Sequence, residues 1–270
     1  MRKQKQQWAG WGPAGGEQAQ QHYLVEPRYL AGGGDLRHVT EYLRASGWKD
    51  KSKTGGPVVF ESPDKSVRLG YDPFTQPGGW TLSGRQTPVQ GAWHATLSRQ
   101  TPVEIVAGVT DALTRPRSAH APNVWAPLEA QGWQMEQGRH VTVRSADGDA
   151  VVRWHQSGHG HGHWWAGARN EHGKVWEAFF TPTTPMHLVE AFSTALADPQ
   201  PVMRPLGRVP PSQRIRTTSV SVRPSELSAW QQARINAARA ATWARSSFAT
   251  TRARTGPGAR PYAAKAGRPR

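Results

Sequence analysis

The sequence predicts an α+β fold: a tandem duplication of an α-β-β-β-β-α unit with antiparallel sheets, followed by a C-terminal helix. Three observations predict it. The chain repeats itself, with "EYLRASGW" (41–48) returning as "APLEAQGW" (126–133), "SPDKSVRL" (62–69) as "SADGDAVV" (145–152), and "AWHATLSRQTP" (92–102) as "VWEAFFTPTTP" (175–185). Inside each copy, short alternating apolar runs are separated by turn-rich links, the pattern of antiparallel strands. Residues 224–254 then open on Pro, are rich in Ala and hold no interior Gly, the composition of a helix.

Each unit opens with a short helix. In the first, Asp35 after "GGG" is placed to cap it, Leu36, Val39, Tyr42 and Leu43 recur at helical spacing, and Gly47 ends it. Four strands are expected at 57–62, 66–72, 79–84 and 93–99, and in the second unit near 139–145, 150–156, 163–169 and 175–180. A closing helix follows, with Thr101 as N-cap, Pro102 at its first position and Glu104 completing a capping box. Ile105, Val106, Val109, Ala112 and Leu113 form its apolar face. The second copy repeats this with Thr184-Pro185 and with Leu188, Val189, Phe192 and Leu196. Helices are expected on one face of the sheets, and the two units to pack together pseudo-symmetrically, face to face being one arrangement. The domain reading is a disordered basic segment at 1–22, repeats at 23–116 and 117–200, a Pro-rich linker at 201–223, a basic Ala/Arg helix at 224–254 and a disordered basic tail at 255–270.

Charge is unevenly spread. Residues 1–33 carry 4 Lys/Arg against 2 acids, 34–200 carry 16 against 16, and 201–270 carry 14 against one, Glu226. A neutral body with a cationic end attracts polyanions, nucleic acid first among them. Leu227, Trp230, Ala237, Ala241, Ala244 and Phe248 fall on one stripe of the last helix, with Arg234 and Arg245 inside that stripe and Arg239 and Arg254 outside it. Poor separation of the faces argues against a membrane-surface helix. No apolar run is long enough to span a membrane, the N-terminus lacks the apolar core of a secretory signal, and there is no Cys; a cytoplasmic protein is the simple reading.

Candidate chemistry is sparse. The cluster His155, His159, His161 and His163 lies where the first copy has "DPFTQPGGW", a hairpin loop without histidine, so a polar turn is expected ahead of a metal site. Trp48, Trp133, Trp93 and Trp176 sit at matched positions and are expected in the core. Trp80, Trp154, Trp164 and Trp165, near Arg85, Arg153 and Arg169, are expected on ordinary sheet surface, with base stacking as the sharper alternative. Asp64 and Asp147 recur inside tight turns. No GxSxG, GxxxxGK[ST] or HExxH signature is present, so no catalytic residue, metal or cofactor is assigned.

The stretches "YLVEPRYLAGGGD" (23–35), "RLGYDPFTQPGGW" (68–80), "QTPVEIVAGVTDAL" (100–113), "HWWAGAR" (163–169) and "TTPMHLVEAFSTALADP" (183–199) resemble the actinobacterial domain-of-unknown-function family 317, also called SPDY. The resemblance spans roughly residues 23–250. It implies paired copies of one domain and an occurrence on streptomycete mobile elements, but no activity or site residue. The functional expectation is a non-enzymatic accessory protein that contacts nucleic acid non-specifically, with Arg234, Arg239, Arg245, Arg252 and Arg254 on phosphate. The alternative is a protein–protein interaction module whose tail serves solubility.

Overall fold

The computed structural model describes residues 18–254 apart from 77, 137 and 157–161, and side chains of the last helix through 240 and at 242. In chain order the elements are β1 (Gln20–Glu26), a 3-10 turn (Arg28–Leu30), α1 (Arg37–Ala45), β2 (Lys49–Asp50), β3 (Val58–Glu61), β4 (Val67–Asp72), β5 (Gly79–Gly84), β6 (Trp93–Ser98) and α2 (Val103–Thr114). The second copy gives α3 (Ala126–Glu129), β7 (Gln134–Glu136), β8 (Val141–Arg144), β9 (Ala150–Gln156), β10 (Gly162–Asn170), β11 (Gly173–Phe180) and α4 (Met186–Ala197). Then come β12 (Val202–Pro205), β13 (Arg216–Val222) and α5 (Pro224–Arg254).

The two units join edge to edge rather than face to face. A single ten-stranded antiparallel sheet runs β2-β3-β4-β5-β6-β11-β10-β9-β8-β7, a palindrome of the two copies. The seam is β6 on β11, with Ala95, Thr96 and Leu97 opposite Phe180, Phe179 and Ala178. Each unit has a fifth strand that was not expected, β2 or β7. These two- and three-residue strands terminate the sheet, and short edges offer little backbone to another chain.

One face of this sheet holds the core. Phe60, Leu69, Trp80, Leu82 and Leu97 in the first half, and Val152, Trp164, Ala166, Trp176 and Phe180 in the second, cluster with Leu43, Ile105, Val109, Leu128, Val189 and Phe192 of the helices. Trp48, Trp93, Trp133 and Trp176 are buried as expected, whereas Trp80 and Trp164 correct the surface reading: alternation points both at the helices. Over the seam, α2 packs on α4. A Cβ at Gly108 would lie 2.5 Å from the Ala195 Cβ, so a residue without a side chain permits the close crossing.

The opening helices end alike. Gly47 and Gly132 have φ of 84° and 74°, and the Trp48 and Trp133 amides donate to the Leu43 and Leu128 carbonyls. They start differently: α1 has nine residues, with the Arg37 amide donating to Asp35, while α3 is a single turn with Pro127 inside it. The expected capping box at α2 does not form. Thr101 Oγ1 is buried without a hydrogen-bond partner, the Thr101 amide donates to the Ser98 carbonyl, and Glu104 turns to Arg204.

Residues 201–223 are not a simple linker. β12 and β13 flank β1 in a three-stranded antiparallel sheet, with His22 opposite Pro205 on one side and Val220 on the other. Val25, Ala31 and Val202 make its small core. Arg204, 2 % exposed, bolts this sheet to the body: its guanidinium donates to the Ala31 and Gly32 carbonyls and to both Glu104 oxygens at 2.7 and 2.8 Å. On the other side Trp176 Nε1 donates to the Tyr29 carbonyl at 2.7 Å, and the Tyr29 hydroxyl to Asp147 at 2.5 Å. The expected segment 1–22 is described only from residue 18, where the last three positions already belong to β1; its remainder and the tail 255–270 lie outside the described residues.

Candidate nucleic-acid interface

α5 is 31 residues long, about 46 Å at 1.5 Å per residue. Its first half is docked. Leu227 and Ala238 are buried, and the Thr242 methyl reaches the bend at Gly47 that ends α1. The anchor is Arg234, which donates to Asp111 Oδ1 and Oδ2 at 2.6 and 2.9 Å and holds its Cζ 4.3 Å from the Tyr42 ring centroid. Arg234, expected on phosphate, is thus held by the body of the protein. A guanidinium bidentate on a carboxylate and stacked on an aromatic ring has its donors and one face already engaged. Trp230, on the same stripe of the sequence as Leu227, is 62 % exposed. Arg239 is exposed, while the side chains of Arg245, Arg252 and Arg254 lie outside the described residues.

Other cations of the C-terminal segment are also tied to the body. Arg204 pairs with Glu104, Arg214 with Asp149, and Arg216 with Glu26 at 3.2 Å. Burial alone would raise the Glu104 carboxyl, but the Arg204 charge and hydrogen bonds outweigh it and hold Glu104 below its ordinary value. Arg208 and Arg223 are exposed, and the long run of sequence without any acid begins after Glu226. From Arg239 to residue 270 the sequence holds eight Lys/Arg and no Asp or Glu.

The histidine cluster resolves into a different set from the one expected. His155 and His163 sit opposite each other in the β9–β10 ladder, with rings 5.0 Å apart and 15° from parallel. His140, missed in the sequence because its loop lies fifteen positions upstream, adds a ring 3.7 Å from His155. His159 and His161 lie outside the described residues. Burial, then the neighbouring His155, lowers His140 and His163 below the ordinary imidazole value, which favours neutral rings. Among the described residues, no group of three or more His, Asp or Glu is arranged to hold a metal ion.

Asp64 and Asp147 are turn-formers, as expected. Each accepts from a serine two residues before it (Ser62, Ser145) and from the backbone amide two residues after it. Between α2, α4, β12 and the start of α5 lies a cleft of about 1280 Å³, lined among others by Arg28, Asp111, Arg117, His187, Met203 and Trp230. Several of its charges are mutually satisfied, Arg28 on Asp198 at 2.7 Å and Arg234 on Asp111 among them. Among the described residues, no helix is long and apolar enough to cross a membrane.

This geometry defines a tandem-repeat α+β protein, two copies of one unit sharing a sheet, to which a small sheet and a long helix are attached. Residues 61–119 and 144–202 each match SPDY, a domain of unknown function (DUF317), and the chain carries two tandem copies of it. Neither a curated protein nor a solved structure matches the chain.

Proposed function

We propose that this protein is a non-enzymatic accessory factor, working in the cytoplasm, that contacts nucleic acid without sequence specificity through the cationic run beginning at Arg239. One observation carries the reading: residues 239–270 hold eight Lys/Arg and no acid in sequence, while Arg204, Arg214, Arg216 and Arg234 before them are paired with the body. Docking of α5 through Arg234 supports it, because an anchored helix presents its later turns as an arm rather than a free coil. Phosphate contacts from such an arm bring affinity and salt dependence, not base readout.

The test compares the full chain with its R239Q/R245Q/R252Q/R254Q variant on a random-sequence DNA duplex. The variant is expected to bind at least about tenfold more weakly, and each phosphate left without its arginine should flatten the slope of log affinity against log salt by about 0.9. Equal binding by the two proteins would refute the reading. A second reading, a protein-interaction module, is favoured by the 62 % exposure of Trp230 at the rim of the cleft. It requires a salt-insensitive protein partner that is lost on Trp230→Ala and kept in the four-arginine variant.

A further inference from the structure

The ten-stranded sheet has a second face, turned away from the helices, and its two halves differ there. In the first repeat one cross-strand row reads Val59, Gly70, Thr81 and Thr96. The corresponding row of the second repeat reads Thr142, Arg153, Trp165 and Phe179. The next row carries His155 and His163 where the first repeat has Asp72 and Gly79. The same fold thus forms with glycine and threonine at these positions, so packing alone does not call for the planar groups of the second half.

Those groups are half-buried and arranged side by side. The six-membered ring of Trp165 lies over Gly167, its Cζ2 3.1 Å from where a Cβ on Gly167 would stand, so the indole is laid along the sheet. Arg153 Cζ is 5.8 Å from the Trp165 ring centroid, and its Nε donates to Thr142 at 3.1 Å. Phe179 lies 4.9 Å from the His163 ring, which stacks on His155. Strands are about 4.8 Å apart and alternate residues about 7 Å apart, so the two rows offer flat surfaces at a spacing that unstacked bases can span. Cations border them: Arg139 and Arg169 are exposed, Glu136 and Glu177 are paired with Arg144 and Lys174, and Asp149, whose carboxyl feels the Arg169 charge, is paired with Arg214.

We propose that the outer face of the second repeat binds single-stranded nucleic acid, with Trp165 and Phe179 stacking on unpaired bases and Arg153 and Arg169 meeting the phosphates. A duplex, whose bases are stacked on one another, cannot use these rings. The site shares only its class of ligand with the cationic arm; its residues and its selectivity are separate.

The experiment measures binding of a 20-nucleotide oligothymidine and of a 20-base-pair duplex to the full chain and to its W165T/F179T variant, which installs the residues of the first repeat. It is run at low salt and at salt high enough to suppress duplex binding. Wild type is expected to retain the oligothymidine at high salt, at least about tenfold tighter than the duplex. The variant should lose that preference while binding the duplex at low salt as wild type does, with a cooperative urea transition close to that of wild type. No preference in wild type, or the same preference in the variant, overturns the proposal. A wild-type dimer in light scattering that W165T/F179T disperses would overturn it too, since a second copy would then cover the face. Absence of duplex binding at low salt would instead count against the arm and leave this outcome readable.

Discussion

The two repeats are near-copies inside and strangers outside. Trp80 and Trp164, Leu43 and Leu128, Trp93 and Trp176, Gly47 and Gly132 occupy matched positions, buried or at matched turns. On the outer face Thr81 and Thr96 stand where the second copy has Trp165 and Phe179. The opening helices diverge as well: α1 is covered by α5, while α3, without that cover and with Pro127 in its only turn, stays one turn long. Inward positions answer to the same packing twice, whereas outward positions answer to whatever each half meets. Function is therefore to be sought in what is not duplicated.

If the cores are equivalent, they should fail equally. Trp80→Ala and Trp164→Ala are each expected to cost about 3–5 kcal/mol, read as the shift in urea unfolding. A cost below about 1 kcal/mol at only one of them would break the equivalence. The next effect is confined to one repeat. Arg234→Ala leaves Asp111, whose side chain is 10 % exposed, with only the largely exposed Arg115 as its cation, and should cost about 1–3 kcal/mol. Hydrogen exchange should speed up in α5 and α1 and stay unchanged in β8–β11; a uniform change would mean that α5 is not an add-on to the first repeat.

Acid should separate the copies further, because Glu104 of α2 corresponds to His187 of α4. Burial, then Arg117, lowers His187 below its ordinary 6.5, and Glu104 lies below its ordinary 4.5. Both folded-state values are depressed, so both contributions are complete above the ordinary value and fade as pH falls through the folded one. Melting temperature should decline first below about pH 6.5, where His38, His140 and His163 act in the same direction, and again below about 4.5. His187→Gln should shrink the upper step and leave the lower; an unchanged upper step would contradict the assignment. The smallest effect is at the outer face, where W165T/F179T should alter stability by about 1 kcal/mol or less, since these are the sister copy's own residues.

Sequence reading reached the duplication, the eight principal strands and the closing helices, because turns and alternation are local signals. What it missed depends on distance along the chain. β1 pairs with β12 and β13 across some 180 and 200 residues; "SVSVRP" (219–224) reads as a short extended segment, but nothing local in the Pro-rich stretch names its partner. The capping box at Thr101 was locally sound, but Arg204, 100 residues away, captures Glu104. Arg234 looked like one more tail cation until Asp111 and Tyr42 came beside it. The joining of the copies at β6 and β11 depends on two edges that each copy alone would leave bare. His140 carried no signal of its own, because only the β8–β9 ladder brings its loop beside His155.

The central claim is that duplex binding lies in the cations from Arg239 onward, outside the duplicated body. The measurement that tests it most directly is the affinity of the full chain for a random DNA duplex across a series of salt concentrations. The account predicts a straight line of log affinity against log salt with a slope of about −4 or steeper, set by Arg239 and the cations that follow it. A flat line, or no binding at the lowest salt, would contradict it.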